Sequence, residues 1–360
     1  MNVMCMRSTL AFLLLVFLVS CGKPREQGAL SGKAFSYARL LKVDDCDREN
    51  MSFTVGDPWH EGKVLQKVNV TKPFGRVVVF TTSHCQLLEY LGAADKIVGV
   101  CDAGYIRIKD IQRRLRLPEH DSGKIADCGN SMSPDIEKII ALKPDAIILS
   151  PYEGISLVRL EKLGIPIIQA ADYMETSSLG RAEWMRYYGR LLGCGRRADS
   201  LFHVVDSTYQ SLKGYAAKLP KGRSILTERK TGAVWYVPGG ESTIGVTIRD
   251  ANGRYAFAED KHGGSLALGF EHVLAKAGDS DVWAFKFNGA KMMSKAELLA
   301  EFHGYEVLKS FQTGEIYECN CSEVPYFEEV SWRPDYLLRE MIQLLHPKAE
   351  LGGLRYYKRL

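Results

Sequence analysis

Residues 196–217 constrain the fold of this chain more than any other segment, because they carry one uninterrupted helical pattern in its middle. The mostly apolar positions recur at steps of four, three, four and three residues, which is one face of an α-helix: Leu201, Val205, Thr208, Leu212 and Tyr215. No proline interrupts the segment, its only glycine is Gly214, and Pro220 follows its end. At 22 residues and 1.5 Å per residue the helix is ~33 Å long, about the diameter of a small domain.

Strand and helix patterns alternate on both sides of this segment. Before it, short apolar runs typical of buried strands stand at 76–80, 97–100, 146–149 and 165–168. After it, similar runs stand at 223–227, 234–237, 281–285 and 315–317, and an amphipathic helix is predicted at 335–345. We predict an α/β fold with two lobes, each a parallel-rich sheet with flanking helices, joined by one long rigid helix. The N-terminal lobe takes residues 35–195 with a leading β-hairpin at 35–75, the bridging helix 196–217, and the C-terminal lobe 218–360.

The N-terminus has the pattern of an export signal. Leu10–Val19 is an apolar run of ten residues, too short to span a bilayer, and Arg7 precedes it. Leu18-Val19-Ser20-Cys21 resembles a bacterial lipobox, in which the cysteine is lipidated and becomes the new N-terminus. Residues 1–20 are then a lipoprotein signal peptide and 21–34 a tether, which predicts an extracytoplasmic body on the periplasmic side, anchored to a membrane through lipidated Cys21. The alternative is an ordinary signal peptide with a chance cysteine.

Charge and cysteine content narrow the function classes. A net charge of +4 over the full chain predicts no nucleic-acid partner. Seven cysteines remain beside Cys5 and Cys21, and an odd number at irregular spacing is no disulfide framework. One or two bridges are possible, but the sequence does not pair them. Cys319-Asn320-Cys321 could suggest a metal clip, although buried or unpaired thiols fit better, since no second Cys or His pair is near in sequence.

The two halves share a weak internal echo. Residues 134–147 and 269–283 each contain a helical stretch with a glutamate in its first turn, followed by an Asp and a buried strand. The two glutamates are Glu137 and Glu271. A carboxylate is favourable at that end of the helix dipole, so both could simply be capping residues.

Taken together, these features resemble the helical-backbone (class III) solute-binding proteins of ABC importers, which serve ferric siderophores, haem and cobalamin. The resemblance covers about residues 76–347, and its most specific pieces are 133–147, Trp235–Ser242, 271–283 and Arg333–Leu338. It implies a monomer that binds an iron chelate, haem or a corrinoid in the cleft between its lobes and delivers it to an ABC permease dimer of the inner membrane. It also implies that Glu137 and Glu271 dock on permease arginines. The sequence departs from the pattern at Gly278, where the first half has Pro144.

Ligands of open α/β lobes bind beyond the carboxyl ends of the strands, which selects two sets of candidates. The first half contributes Ser83, His84, Tyr105, Tyr152 and Glu153, and the second contributes Arg229, Trp235, Tyr236 and Trp283. Aromatic rings and a guanidinium suit a large, partly aromatic, anionic ligand. Each residue could instead be a packing residue, and alternation along a strand lets at most one of Trp235 and Tyr236 face the cleft.

Other classes of protein were weighed against the same residues. His84-Cys85 lacks an orienting acid, and phosphate-loop, GxGxxG and HExxH motifs are absent, so we predict neither an enzyme nor a resident cofactor. A receptor for a bare transition metal stays open, with His84, His262 and Glu153 converging on one point. A surface lipoprotein with an adhesive or scaffolding role also stays open, as does the choice among siderophore, haem and cobalamin.

Overall fold

The first described element is a three-stranded antiparallel sheet. The computed structural model describes residues 35–46, 51–154 and 158–360, so the predicted signal peptide, tether and lipidated Cys21 lie outside the described residues. The strands are β1 (Leu41–Cys46), β2 (Met51–Gly56) and β3 (Val64–Val70), in the order β1-β2-β3. The leading hairpin predicted at 35–75 is therefore a sheet with one strand more.

Two buried carboxylates bind the segment that precedes this sheet. Glu183 accepts hydrogen bonds from the main-chain N–H groups of Ser36, Tyr37 and Ala38 at 2.7–3.0 Å. Glu175 accepts those of the next two residues, at 2.9 and 3.0 Å. Because both glutamates are buried, these bonds are protected from water and fix the start of the described chain to the N-terminal lobe.

A five-stranded parallel sheet forms the centre of the N-terminal lobe, with the strand order β10-β9-β4-β5-β6. The strands from β4 to β10 are β4 (Val77–Val79), β5 (Ile97–Val100), β6 (Ala126–Asp127), β7 (Gly129–Asn130), β8 (Ser133–Pro134), β9 (Ala146–Leu149) and β10 (Ile167–Gln169). β7 and β8 pair only with each other. All residues of β4, β5 and β9 are buried, as expected for strands covered on both faces.

Five helices flank this sheet: α1 (Thr82–Leu91), α2 (Lys109–Leu115), α3 (Ile136–Leu142), α4 (Val158–Glu161) and α5 (Ser178–Leu191). Thr81 caps α1 through its side chain, and Gly92 ends it in the left-handed conformation.

The long helix α6 (Gly195–Ala216) has 22 residues, within one residue of the prediction at each end. Its buried face differs from the predicted one: Val205 is buried, but Phe202 and Tyr209 complete the face, whereas Thr208 is exposed. The difference arises because α6 packs against two helices at once, α5 of the N-terminal lobe and α12 (Pro334–Leu345) of the C-terminal lobe. A buried glycine, Gly189 of α5, allows the close approach, since a Cβ there would lie 2.3 Å from the Cβ of Ala198.

The C-terminal lobe has a second five-stranded sheet in the order β14-β11-β16-β17-β18 and a three-stranded antiparallel sheet, β12-β13-β15. The strands are β11 (Ser224–Thr227), β12 (Lys230–Thr231), β13 (Val234–Pro238), β14 (Arg254–Tyr255), β15 (Ser265–Leu268), β16 (Val282–Phe287), β17 (Ile316–Asn320) and β18 (Lys358–Arg359). Only β18 runs antiparallel in the larger sheet. The strand predicted at 234–237 was expected in a parallel sheet; it lies in the antiparallel one because a turn at Gly232 reverses the chain.

Before α12, five further helices belong to this lobe: α7 (Thr243–Asp250), α8 (Phe270–Ala277), α9 (Lys295–Glu301), α10 (Lys309–Thr313) and α11 (Tyr326–Glu329). The two parallel sheets, their flanking helices and α6 give the predicted α/β fold of two lobes joined by one long helix.

Candidate ligand-binding cleft

Both lobes carry exposed aromatic side chains. Tyr105 follows β5 and is 67% exposed, and Tyr152 follows β9 and is 51% exposed. In the C-terminal lobe, Tyr236 is 48% exposed on β13, and Phe327 is 51% exposed on α11. Large apolar rings in water are unfavourable, and two of these rings, Tyr152 and Tyr236, line a cavity or groove where a ligand with apolar area could cover them.

A cavity of about 120 Å³ opens at the carboxyl edge of the N-terminal sheet. Hydroxyl groups of Thr81, Ser131, Ser133 and Ser150 line it together with the guanidinium of Arg159. The remaining lining residues are apolar or aromatic, so the cavity combines hydrogen-bonding groups and a positive charge with an apolar surface. Such a cavity suits the polar or anionic end of an amphipathic ligand.

His84 lies behind this cavity rather than in it, which corrects its prediction as a ligand-binding residue. Its side chain is buried, with Nε2 at 3.0 Å from both Asp172 Oδ1 and the Tyr188 hydroxyl, and Nδ1 bonded to Thr81 Oγ1. Burial opposes ionisation of Asp172, but His84 and Arg181 outweigh it and hold the pKa of that carboxyl below its ordinary value. The imidazole therefore supports the helix start at Thr81 and offers no surface to a ligand.

The C-terminal wall carries charged groups that are already paired. A groove of about 430 Å³ is lined in part by Glu228, Arg229, Tyr236 and Lys286. Arg229 forms an ion pair with Glu301, and Lys286 forms one with Glu228. Burial alone would lower the pKa of Lys286, but the Glu228 carboxylate raises it above its usual value, so the ammonium stays charged.

Trp235 and Trp283, both predicted at the cleft, are core residues. Both are fully buried, and their indole N–H groups donate to main-chain oxygens, Trp235 to Thr227 at 3.0 Å and Trp283 to Glu228 at 2.7 Å. Trp235 lies on β13 of the antiparallel sheet and Trp283 on β16 of the larger sheet, and both rings pack against Tyr305, with ring centroids 5.7 and 4.8 Å from its ring. The alternation along β13 then leaves Tyr236 as the member of the pair that faces outwards.

The lobes touch at one side of the cleft. The indole N–H of Trp332 donates to the main-chain oxygen of Ser83 at 2.6 Å, and its ring packs against His84 with centroids 5.5 Å apart. A second contact joins the hydroxyls of Ser178 and Thr247 at 3.3 Å. Ser83 is thus part of the lobe contact, and Glu153 is exposed beside Tyr152.

Sequence reasoning missed several residues of these walls. Met132, 62% exposed, and Arg159 line the N-terminal cavity, but Met132 lies in the turn between β7 and β8, two-residue strands with no recognisable pattern. Lys286 had a signal, because it is the one charged residue in the otherwise apolar strand VWAFKF. A lone cation in a buried strand needs a partner, which here is Glu228.

The residues proposed for a bare metal site do not converge. His84 is bonded to Asp172, whereas exposed His262 of the C-terminal lobe has its Nδ1 2.9 Å from Asp260. Within residues 35–46, 51–154 and 158–360, no group of three or more His, Cys, Asp or Glu side chains has a metal-binding arrangement.

The two predicted docking acids lie on the surface. Glu137 is exposed in the first turn of α3, and Glu271 is exposed in the first turn of α8. Ion pairs among the described residues include neither of them, so both carboxylates are open to a partner.

Comparison with known proteins places the chain in a family. The model of the family "periplasmic binding protein" matches residues 77–321, more than half of the chain. The chain belongs to the periplasmic binding protein family.

Individual relatives agree with this assignment. An uncharacterized lipoprotein of Methanocaldococcus jannaschii is 26% identical over 307 residues, 82% of this chain and 70% of the relative. Among solved structures, an ABC-type Fe3+-hydroxamate transport system protein from Saccharomonospora viridis is similar at a TM-score of 0.61 and 19% identity, over 81% of this chain and 98% of that chain. A periplasmic heme-binding protein from Pseudomonas aeruginosa is similar at a TM-score of 0.60 and 16% identity, over 79% and 97%.

Proposed function

We propose that this protein is the substrate-binding lipoprotein of an ABC importer and that it captures a ferric siderophore, haem or a corrinoid between its lobes. One observation carries the proposal. Of the five large aromatic side chains that are well exposed among the described residues, Tyr152 lines the N-terminal cavity and Tyr236 lines the groove of the C-terminal lobe. A solute with a broad apolar or aromatic surface is the kind of ligand that such rings bind.

The charges of the cleft favour a ligand that also carries anionic or polar groups. Arg159 is exposed beside the hydroxyl-lined cavity, and no ion pair of the described residues includes it. Arg229 and Lys286 add cations on the facing lobe, although Glu301 and Glu228 partly neutralise them. The N-terminal cavity is therefore the better place for a carboxylate or hydroxamate oxygen.

Delivery to a permease is supported by the two surface acids. Glu137 and Glu271 occupy matching positions, one per lobe, each in the first turn of a short helix. We propose that they dock on basic residues of a permease dimer, where exposed charge pairs guide orientation and association rate more than affinity.

We further propose that the protein works outside the cytoplasm, held at a membrane by lipid on Cys21. The apolar run before Cys21 supports this location, as does the lipoprotein nature of the relative from Methanocaldococcus jannaschii. Among the described residues, no helix has the length and hydrophobicity to cross a bilayer.

The direct test is to isolate the full-length lipoprotein from its host in detergent and record its absorption spectrum and the mass of any co-purified solute. The stripped protein is then titrated with ferrioxamine, haemin and cyanocobalamin. We expect saturable binding of one of the three with one ligand per protein. Binding of bare Fe3+ or Zn2+ but of none of these three compounds would contradict the proposal and favour a metal receptor.

A further inference from the structure

We propose that Cys319 and Cys321 are a redox-active dithiol that converts reversibly into an intramolecular disulfide at the edge of the cleft. Cys319 is the next-to-last residue of β17, and Cys321 is the first residue after that strand. Residues two apart in an extended chain point to the same side, and here the two Sγ atoms lie 3.8 Å apart. Their Cα atoms are then ~6.7 Å apart, inside the ~7 Å limit beyond which a bridge needs backbone movement.

A positive charge stands next to this pair. Lys286 of β16 is directly opposite Cys319 in the sheet register, and its ammonium lies 5.4 Å from the centre of the buried Tyr326 ring. The hydrogen bond from Cys319 and then the charge of Lys286 outweigh burial and lower the pKa of the Cys321 thiol. Cys321 is 7% exposed and Cys319 fully buried, so Cys321 is the thiol that a reagent reaches first.

The other described cysteines lack this arrangement. Cys101 and Cys128 are buried, and each thiol contacts a main-chain oxygen at 3.9 Å. Burial raises the pKa of Cys128 to about 11. The pair formed by these two residues therefore serves as the internal control for the pair at 319 and 321.

The chemistry is thiol–disulfide exchange with a small-molecule disulfide as the oxidant. The Cys321 thiolate attacks one sulfur of the oxidant, forming a mixed disulfide and releasing one thiol. Cys319 loses its proton to solvent and attacks the Cys321 sulfur, releasing the second thiol. Two cysteine thiols and one disulfide thus become one protein disulfide and two small thiols, and a dithiol reductant reverses the reaction. An extracytoplasmic location is the compartment in which such bonds persist.

The redox state of the Cys319–Cys321 pair can affect the cleft through Lys286. Lys286 lines the cleft groove from the side of the sheet that carries Cys319, and it is bound to Glu228, whose backbone is in the left-handed region. Oxidation removes the partial thiolate charge behind Lys286, so the redox state changes the electrostatics of one cleft wall.

The experiment treats the full-length lipoprotein in detergent with oxidised glutathione, quenches with acid, alkylates with N-ethylmaleimide and measures intact mass. We expect the wild type to lose two alkylatable thiols without retaining glutathione, and to regain both with dithiothreitol. We expect C319S to retain one glutathione, bound to Cys321, because the second thiol is absent. C321S should keep all of its remaining thiols. The control C101S should lose two thiols, as the wild type does. Peptide mapping of the oxidised wild type, which needs no variant, should recover the bridge between 319 and 321.

Two results would overturn the inference. In one, the native wild type keeps all its thiols in the presence of oxidised glutathione, or the C319S/C321S double variant loses as many thiols as the wild type does. In the other, the isolated protein holds copper that shields both thiols and is absent from C319S/C321S, which would make the pair a soft-metal site instead. Both readouts are independent of solute binding, so they stand whether or not the proposed ligand class is right.

Discussion

Trp332 of the C-terminal lobe donates its indole N–H to the main-chain oxygen of Ser83 in the N-terminal lobe, at 2.6 Å. This hydrogen bond and the contact of the same ring with His84 join the lobes directly at one side of the cleft. The relative placement of the two walls therefore depends on a buried side-chain contact as well as on α6.

Replacing Trp332 by Phe should keep most of the ring contact but remove the hydrogen bond to the Ser83 carbonyl. We expect a loss of about 0.5–1.5 kcal/mol in the free energy of unfolding, the net contribution of one hydrogen bond. Urea unfolding measures it. Phe327→Leu, at the exposed position of the neighbouring helix α11, is the control and should change stability by less than about 0.5 kcal/mol. Equal stability of W332F and the wild type would mean that the bond contributes nothing.

Tyr236→Ala should weaken binding of the identified solute about tenfold, because it removes an exposed ring from the cleft wall without disturbing the core. Isothermal titration measures the change. The matched control is Tyr215→Ala, which removes an exposed ring from the end of α6 that lines neither the N-terminal cavity nor the C-terminal groove. Equal affinity of Y236A and Y215A would place the ligand elsewhere.

Charge reversal at Glu137 and Glu271, the two acids proposed to dock on a permease, should separate binding from transport. In E137K/E271K we expect solute uptake by cells to be abolished, while the affinity of the purified protein for its solute stays unchanged, because neither acid lines a described cleft wall. E61K/E306K reverses one exposed acid in each lobe outside these positions and should transport normally. Normal uptake by E137K/E271K would exclude these acids from docking.

Asp172 should make stability depend on pH in the acid range. Its pKa is depressed in the folded protein, so its contribution is complete above the unfolded pKa of about 3.9 and is lost as pH falls through the folded value. D172N should be less stable than the wild type at pH 7, and this difference should shrink as pH falls below about 4. Urea unfolding from pH 7 to pH 3 measures it. A difference that stays constant would show that the charge of Asp172 is not what stabilises the fold.

Two helical glycines should respond in opposite directions to alanine. G189A forces a Cβ to 2.3 Å from Ala198 and should cost about 1–3 kcal/mol through overpacking between α5 and α6. G214A, in α6, meets nothing within 4 Å and should add about 0.5–1 kcal/mol. Thermal unfolding measures the stability of both variants. A neutral G189A would show that α5 and α6 separate easily.

Elements with a strong local signal were predictable from the sequence. The helix at 196–217 and the buried strands at 76–80, 146–149 and 281–285 appear close to their predicted bounds, because periodicity, β-branched runs and Gly or Pro punctuation act locally. The surface positions of Glu137 and Glu271 also follow from their place in the first turn of a helix.

The predictions that were wrong concern residues whose burial depends on a neighbour from a distant part of the chain. The strand pattern required Trp235 and Tyr236 to face opposite sides, but only the packing against Tyr305 decides that Trp235 is the inner one. His84 follows a strand at the carboxyl edge, as a ligand-binding residue would, yet a buried Asp172 from a distant segment holds it inside. The offset of the α6 face has the same origin, because two helices from different lobes share it.

The hydrogen bonds that Glu183 and Glu175 accept from the N–H groups of residues 36–40 attach this segment firmly to the N-terminal lobe. If lipid is attached at Cys21, only 14 residues, 21–34, separate the bilayer from that segment. Whatever path they take, they reach at most ~50 Å at roughly 3.5 Å per residue. Under this condition the protein would stay within a thin layer next to the membrane, where its local concentration near a transporter would be high.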